Sequence, residues 1–227
     1  MRPLLPSLAR YLRQHRIMPG RRAQFTGAYF DSLTDRVTEA ERTTAAEIVV
    51  VVRPCSGNYR DIDFLFGAGV AWLALLFILF TPWPVHAYIV PFEVAFLFVV
   101  SAWLCSRTEL RRWLTTRRRR WRQVRTAATA AFVEEGVTHT RARTGVLLYW
   151  SFLERHVEVV ADVGVHAAVP PAEWNAFLFQ VRRIGTTAAP ASVLLDDLRA
   201  LSQLLTRHLP ASEDNPDELP NRPRVHR

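Results

Sequence analysis

The sequence predicts an α/β fold in which helices cover both faces of a small mixed sheet, interrupted by a two-helix transmembrane hairpin. Three observations predict it. Phe64 to Thr81 carries no charge and approaches the ~20 apolar residues that a helix needs to cross the hydrocarbon of a bilayer. A second apolar run, Ala87 to Cys105, follows the break Thr81-Pro82-Trp83-Pro84, so the chain returns to the side it left. Strand-like runs lie on both sides of the hairpin: Glu47 to Arg53 before it, Gly145 to Ser151 and Val157 to Asp162 well after it. If these share one sheet, both halves sit on one side of the membrane, which an even number of spans allows and an odd number forbids.

In chain order, residues 1–25 form a basic N-terminal segment broken by Pro3, Pro6 and Pro19. Leu4, Leu5, Leu8, Tyr11 and Leu12 give it an apolar stripe suited to a membrane surface; a mobile tail is the alternative. A split soluble domain follows, residues 26–60 and 107–209, with the hairpin over 61–106 and its spans at about 64–81 and 87–105. Phe30, Leu33, Val37, Ala40 and Thr44 keep helical spacing. Four valines and an isoleucine without alternation, Ile48 to Val52, read as a strand covered on both faces. After the second span, Trp121, Val124, Ala128, Ala131 and Phe132 are again helix-spaced, nearly continuous with the span, and Gly136 suits the helix stop. Two strands joined over Phe152 to His156 form an antiparallel hairpin that Gly164 ends. Pro170-Pro171 opens a helix with Trp174, Phe177, Leu178 and Val181 on one face; Ile184 to Pro190 is a loop. Ser192 caps a last helix striped with Leu194, Leu198, Leu201 and Leu205. Residues 210–227 hold Pro210, Pro216, Pro220 and Pro223 among mixed charges and read as a disordered tail.

Charge sets the topology. The formal charge is +8, and with no lysine in the chain all 29 basic residues are arginine, a bias that a GC-rich genome accounts for. Arginines flank both outer ends of the hairpin, Arg117, Arg118, Arg119 and Arg120 most densely, and none lies in the turn. The positive-inside rule then places both termini and the soluble domain in the cytoplasm. Nucleic-acid binding is the alternative use of that run, which topology explains without it. Glu93 lies inside the second span if the helix starts at Ala87, and in the headgroup layer if it starts nearer Phe92. Cys55 and Cys105 show no metal spacing and no disulfide framework.

Glu41-x-x-Thr44-x-x-Glu47-Ile48 before a valine run resembles the opening of the TPM domain, a phosphatase-like family named after a thylakoid lumen protein, a photosystem II protein and a receptor-modulating protein. Thr144-Gly145-Val146-Leu147-Leu148 is similar to its second hallmark, and Glu154-Arg155-x-Val157-x-Val159 with Asp162-Val163-Gly164 to its third. Trp174 matches the aromatic of the helix that follows. The resemblance covers Ser32 to Leu209 apart from the hairpin. Two departures stand out: members usually carry a membrane helix at a chain end, and Asp162 stands where the first glycine of a G-x-G-like turn is usual. The chain resembles a bacterial membrane branch of the family. The resemblance implies a three-layer α/β/α sandwich. For function it implies either weak acid-phosphatase activity or accessory roles in assembling membrane complexes.

Candidate site residues follow from strand ends. Asp162, beside Gly164, could bind a divalent cation such as calcium or magnesium, or act as acid or base, with Glu47 joining it if their strands are neighbours. Each has a plainer reading, a loop cap for Asp162 and a solvated strand edge for Glu47. Arg141, Arg143 and Thr144 could hold a phosphate oxygen or a lipid headgroup. Asp196 and Asp197 read as first-turn or surface partners of a helix. No P-loop, Rossmann glycine pattern, G-x-S-x-G or C-x-x-C occurs. The leading expectation is an inner (plasma) membrane protein whose partners are the bilayer and other membrane proteins, which it binds or helps assemble. A weak metal-assisted phosphomonoesterase using Asp162 with Glu47 or Arg143 is the enzyme alternative. Anionic lipid or nucleic-acid binding by the arginine run is the third.

Overall fold

The computed structural model describes residues 27–82, 86–108, 110–181, 190–211, 219 and 223–225. The expected N-terminal segment, Trp83 in the turn, and the loop from Ile184 to Ala189 lie outside these residues.

Helix α1 (Gly27–Glu41) buries Phe30, Leu33, Val37 and Ala40, the stripe its spacing predicts. Strand β1 (Ile48–Arg53) is buried from Ile48 to Val52. The chain then leaves the domain through α2 (Arg60–Phe80) and returns through α3 (Val90–Arg107). Both helices are long and apolar enough to cross a membrane. They pack along small residues: Gly67, Ala71, Ser101, Ala102 and Cys105 are buried, while Phe64, Leu65, Trp72, Phe77, Phe80, Phe92 and Phe96 face outward. A Cβ on Gly67 would lie 2.9 Å from the Phe98 carbonyl, so glycine sets this close approach. The second helix starts at Val90 with Pro91 in its first turn, which leaves Glu93 exposed in that same turn.

Span and amphipathic helix are not continuous. A short α4 (Leu110–Leu114) intervenes, and Thr116 starts α5 (Arg117–Glu134) by accepting the Arg119 amide on its side chain at 3.4 Å. Strands β2 (Val146–Ser151) and β3 (His156–Ala161) follow, then α6 (Val163–Ala168), α7 (Pro171–Val181) and α8 (Pro190–His208). The last helix starts at Pro190, so Ser192 lies inside it rather than at its cap. Helix α6 is an addition to the expected order: the strand ends at Ala161, three residues before the expected Gly164, because Asp162 caps a helix that takes Gly164 into its first turn.

The sheet order is β3-β2-β1-β4. β1 runs parallel to β2, Ile48 beside Val146 through Arg53 beside Ser151, and β2 runs antiparallel to β3. Of the C-terminal segment read from sequence as a tail, residues 212–218, 220–222 and 226–227 lie outside the described residues, and one described part departs from that reading. Arg224–Val225 form β4 and pair parallel with Val51 and Val52. These are backbone bonds, indifferent to side chains, so neither proline content nor charge announces them. One apolar cluster joins Ile48, Val50, Val52, Leu148 and Trp150 to α1, α7 and α8. A second joins Val49, Val51, Leu147 and Tyr149 to Val124, Ala128, Ala131 and Phe132 of α5. Because side chains alternate along a strand, these clusters lie on opposite faces.

Candidate functional site

At one end of the sheet the register places Glu47, Gly145 and Asp162 side by side. The Val146 amide donates to the Glu47 carbonyl at 2.8 Å, and the Asp162 amide to the Gly145 carbonyl at 2.9 Å. Glu47 and Asp162 are thus two strand spacings apart, about 10 Å between backbones. Asp162 is buried, and its hydrogen bonds fall on one of its two oxygens. Its Oδ1 accepts the Val163 amide at 2.7 Å, capping α6, and the Arg143 Nη2 at 2.9 Å; Arg143 Nε lies 2.7 Å from Oδ2. The pair is thus one charge-assisted hydrogen bond, at Oδ1, with a close ionic contact at Oδ2 that is not itself a hydrogen bond. Arg143 itself holds a left-handed backbone, φ 55, a conformation uncommon for a residue with a side chain. Its carbonyl accepts the Gly164 amide at 2.9 Å, and a Cβ on Gly164 would fall 2.6 Å from that same oxygen. The glycine of Asp162-Val163-Gly164 is therefore set by loop packing.

The other expected residues separate. Glu47 is buried, not a solvated strand edge, and its Oε2 accepts the Leu219 amide at 3.3 Å. Thr144 is buried and donates its hydroxyl to the Ala45 carbonyl at 2.9 Å, joining the approaches to β1 and β2. Arg141 is exposed. Glu41 accepts the Ile48 amide at 3.0 Å, and the Thr44 hydroxyl donates to the Leu209 carbonyl at 2.6 Å. The residues that carry the sequence resemblance are thus fasteners of the sheet. Among the described residues no group of three or more His, Cys, Asp or Glu is placed to hold a metal ion. A cation at Asp162 would have to displace Arg143.

The opposite end of the sheet, at the carboxyl ends of β1 and β2, carries a polar network that the sequence reading did not single out. Glu154, 3% exposed, is its hub. Its Oε1 accepts the Ser56 amide at 3.0 Å and the Tyr59 hydroxyl at 2.9 Å, and its Oε2 accepts the Ser151 hydroxyl. Ser56 Oγ lies 3.0 Å from the Tyr149 hydroxyl and donates to Ser151 Oγ at 2.8 Å. Burial, then the nearby Glu154 carboxylate, pushes the Cys55 thiol up to about 12, so this thiol is a poor nucleophile. Burial also raises the Tyr59 hydroxyl, with Glu154 adding to the effect. The network ties the lead-in to α2 onto the sheet.

The base of the hairpin is tied a second time. Asp63 makes a two-point pair with Arg111, Nε to Oδ1 at 2.7 Å and Nη2 to Oδ2. Asp61 makes another with Arg119, at 2.6 and 2.9 Å. The hydrogen bond to Asp63 is the main cause that raises the Arg111 guanidinium further. Arg119 also reaches the Asn58 carbonyl and lies 5.7 Å over the Tyr59 ring. Arg120 donates to the Arg112 carbonyl at 2.9 Å. The four-arginine run is thus divided: Arg119 and Arg120 bind within the chain, and Arg117 and Arg118 are exposed.

Asp197 departs most from its surface reading. It is 3% exposed, with Oδ2 lacking a hydrogen-bond partner, and burial, then Asp196, raises its carboxyl from 3.8 to about 7. Helical period puts it on the stripe of Leu194 and Leu201; its chemistry, not its position, suggested the surface.

No protein-family model and no curated protein matches the chain. Among solved structures, it is similar to the BA42 protein of the psychrophilic bacterium Bizionia argentinensis, determined by NMR. The TM-score is 0.54 and the identity 15%, over 88% of this chain and 94% of that one. At that identity the likeness is one of fold.

Proposed function

We propose that the chain is a membrane-anchored α/β module that binds, and helps assemble, other membrane proteins. In this reading the two-span hairpin holds it in the inner membrane of a bacterium, with the domain and both termini cytoplasmic. One observation carries it: the hairpin is inserted between β1 and β2, which are bonded neighbours in one sheet. A domain built around an outward-facing apolar hairpin is held against the bilayer, where its partners would also lie. The apolar clusters on the two sheet faces support a three-layer α/β/α arrangement and, with the motif residues, a TPM-type domain. Purification from detergent-solubilised membranes should recover a membrane protein in stoichiometric amount; repeated recovery of the chain alone counts against the reading. The enzyme alternative requires Asp162 to release Arg143 and the α6 cap before it can hold a cation or a proton in transit. Equal hydrolysis of a generic phosphoester by wild type and Asp162→Asn would remove Asp162 from any such mechanism.

A further inference from the structure

The arginines that leave the hairpin are more than its flank. Helix α5 opens with Arg117 to Arg120 and carries no acidic residue in its first turn. Four guanidinium groups at the positive pole of a helix dipole are unfavourable by themselves. Two are relieved within the chain, Arg119 by Asp61 and Arg120 by the Arg112 carbonyl. Arg117, Arg118, Arg122 and Arg125 are exposed and make no ion pair among the described residues. Glu134, the carboxylate of this helix, lies at its far end and pairs with Arg53.

Position gives these charges a partner. Arg118, Arg122 and Arg125 follow a spacing of four and three, so they share one face. That face is an exposed flank of the helix, roughly 100° around from the buried one of Val124, Ala128, Ala131 and Phe132. Arg119 clamps the start of α5 to Asp61, in the first turn of the hairpin's first helix. The first arginines therefore stand at the hairpin base. Arg125 is about 10 Å further along, close to the Debye length of about 8 Å at physiological salt. Beside them Trp113 is 81% exposed, with Leu114 and Trp121 also open to solvent. Exposed tryptophan next to unpaired arginine suits the layer between hydrocarbon and water.

We infer that this exposed arginine flank of α5, with Trp113, docks on anionic phospholipid headgroups of the bilayer that the hairpin crosses, holding the domain beside the membrane. This rests on the hairpin reading. The test uses the full chain in lipid nanodiscs, with a fluorescent probe on Thr126→Cys and a quencher on the lipid headgroup. Thr126 is exposed on α5, whereas Cys105 is buried and Cys55 half-buried. Quenching is expected in discs rich in anionic lipid, and is lost between about 0.05 and about 0.5 M salt. Replacing Arg118, Arg122 and Arg125 by Gln lowers the docked-to-undocked ratio on the order of 100-fold, at ~5-fold per arginine. Replacing the same three by Lys keeps it. Equal quenching in zwitterionic discs, or a Gln variant that behaves as wild type, overturns the inference. So does duplex DNA that displaces the probe from the discs at matched phosphate, which would assign the face to nucleic acid. Incorporation into discs of either lipid reports the hairpin separately: a chain that enters neither sinks the hairpin reading, and one that enters both without charge-dependent quenching sinks only the docking.

Discussion

Asp162 and Asp197 are both buried carboxylates, but only Asp162 has a cation and an amide to stabilise its charge. Asp162→Ala removes a helix cap and should cost about 1–2 kcal/mol by denaturant titration, whereas Asp162→Asn, which still offers an oxygen to the Val163 amide, should lose much less. Asp197 behaves oppositely. Its carboxyl is raised to about 7, so between about pH 4 and 7 the folded state binds the proton that the unfolded state has released. Stability from this group is fully present below about pH 4 and falls as pH rises through 7. Asp197→Asn should therefore stabilise the chain at pH 8, by at most about 4 kcal/mol at 1.4 kcal/mol per pH unit, and the advantage should vanish near pH 4. A melting difference that stays constant from pH 4 to pH 8 would refute this. The sequence made Asp162 conspicuous because it stands at a strand end beside glycine. It offered Glu154 only as a motif residue and hid its role, since its Tyr59 and Ser56 partners are 95 and 98 residues away along the chain, and no local pattern reports such a hub.

At the scale of elements, unbroken apolar runs announced β1, β2 and both hairpin helices, and apolar periodicity announced β3, α1, α5, α7 and α8. The missed elements are short: α4, of five residues, which carries no buried residue, α6, which depends on the Asp162 cap, and β4, which depends on strand pairing. The junction of hairpin and domain is the element-scale feature most open to mutation. Asp63 and Arg111 have side chains only 7% and 23% exposed. Removing one partner leaves a partly buried charge alone, so Asp63→Ala should lower stability in detergent by about 3 kcal/mol, and Asp63→Ala with Arg111→Leu should recover much of it. Asp61→Ala, whose pair with Arg119 is open to solvent, should do little by itself. A double-mutant cycle compares the two directly: equal coupling energies would mean that burial does not distinguish them.

For the molecule as a whole, the split domain makes a separable prediction. The contacts that close the sheet, Ile48 to Arg53 against Val146 to Ser151, do not involve α2 or α3. Replacing residues 60–107 by a flexible polar linker should thus yield a water-soluble chain with helix and strand signals by circular dichroism. An aggregated or unfolded product would mean that the hairpin is part of the domain's stability. A cysteine in place of the exposed Tyr88 should react with an impermeant reagent from outside intact cells, while one at Thr206 should not. The parallel pairing of β1 with β2 also orders events in time. At roughly 5–20 residues per second, a ribosome delivers the partner of Ile48 only about 5–20 s after Ile48 itself. Throughout that delay the valine run lacks its β2 partner, and in the membrane-anchored reading proposed above both apolar helices reach the insertion machinery before that partner is made. In that reading insertion precedes closure of the sheet, and the valine strand is the part of the domain that waits longest for its neighbour.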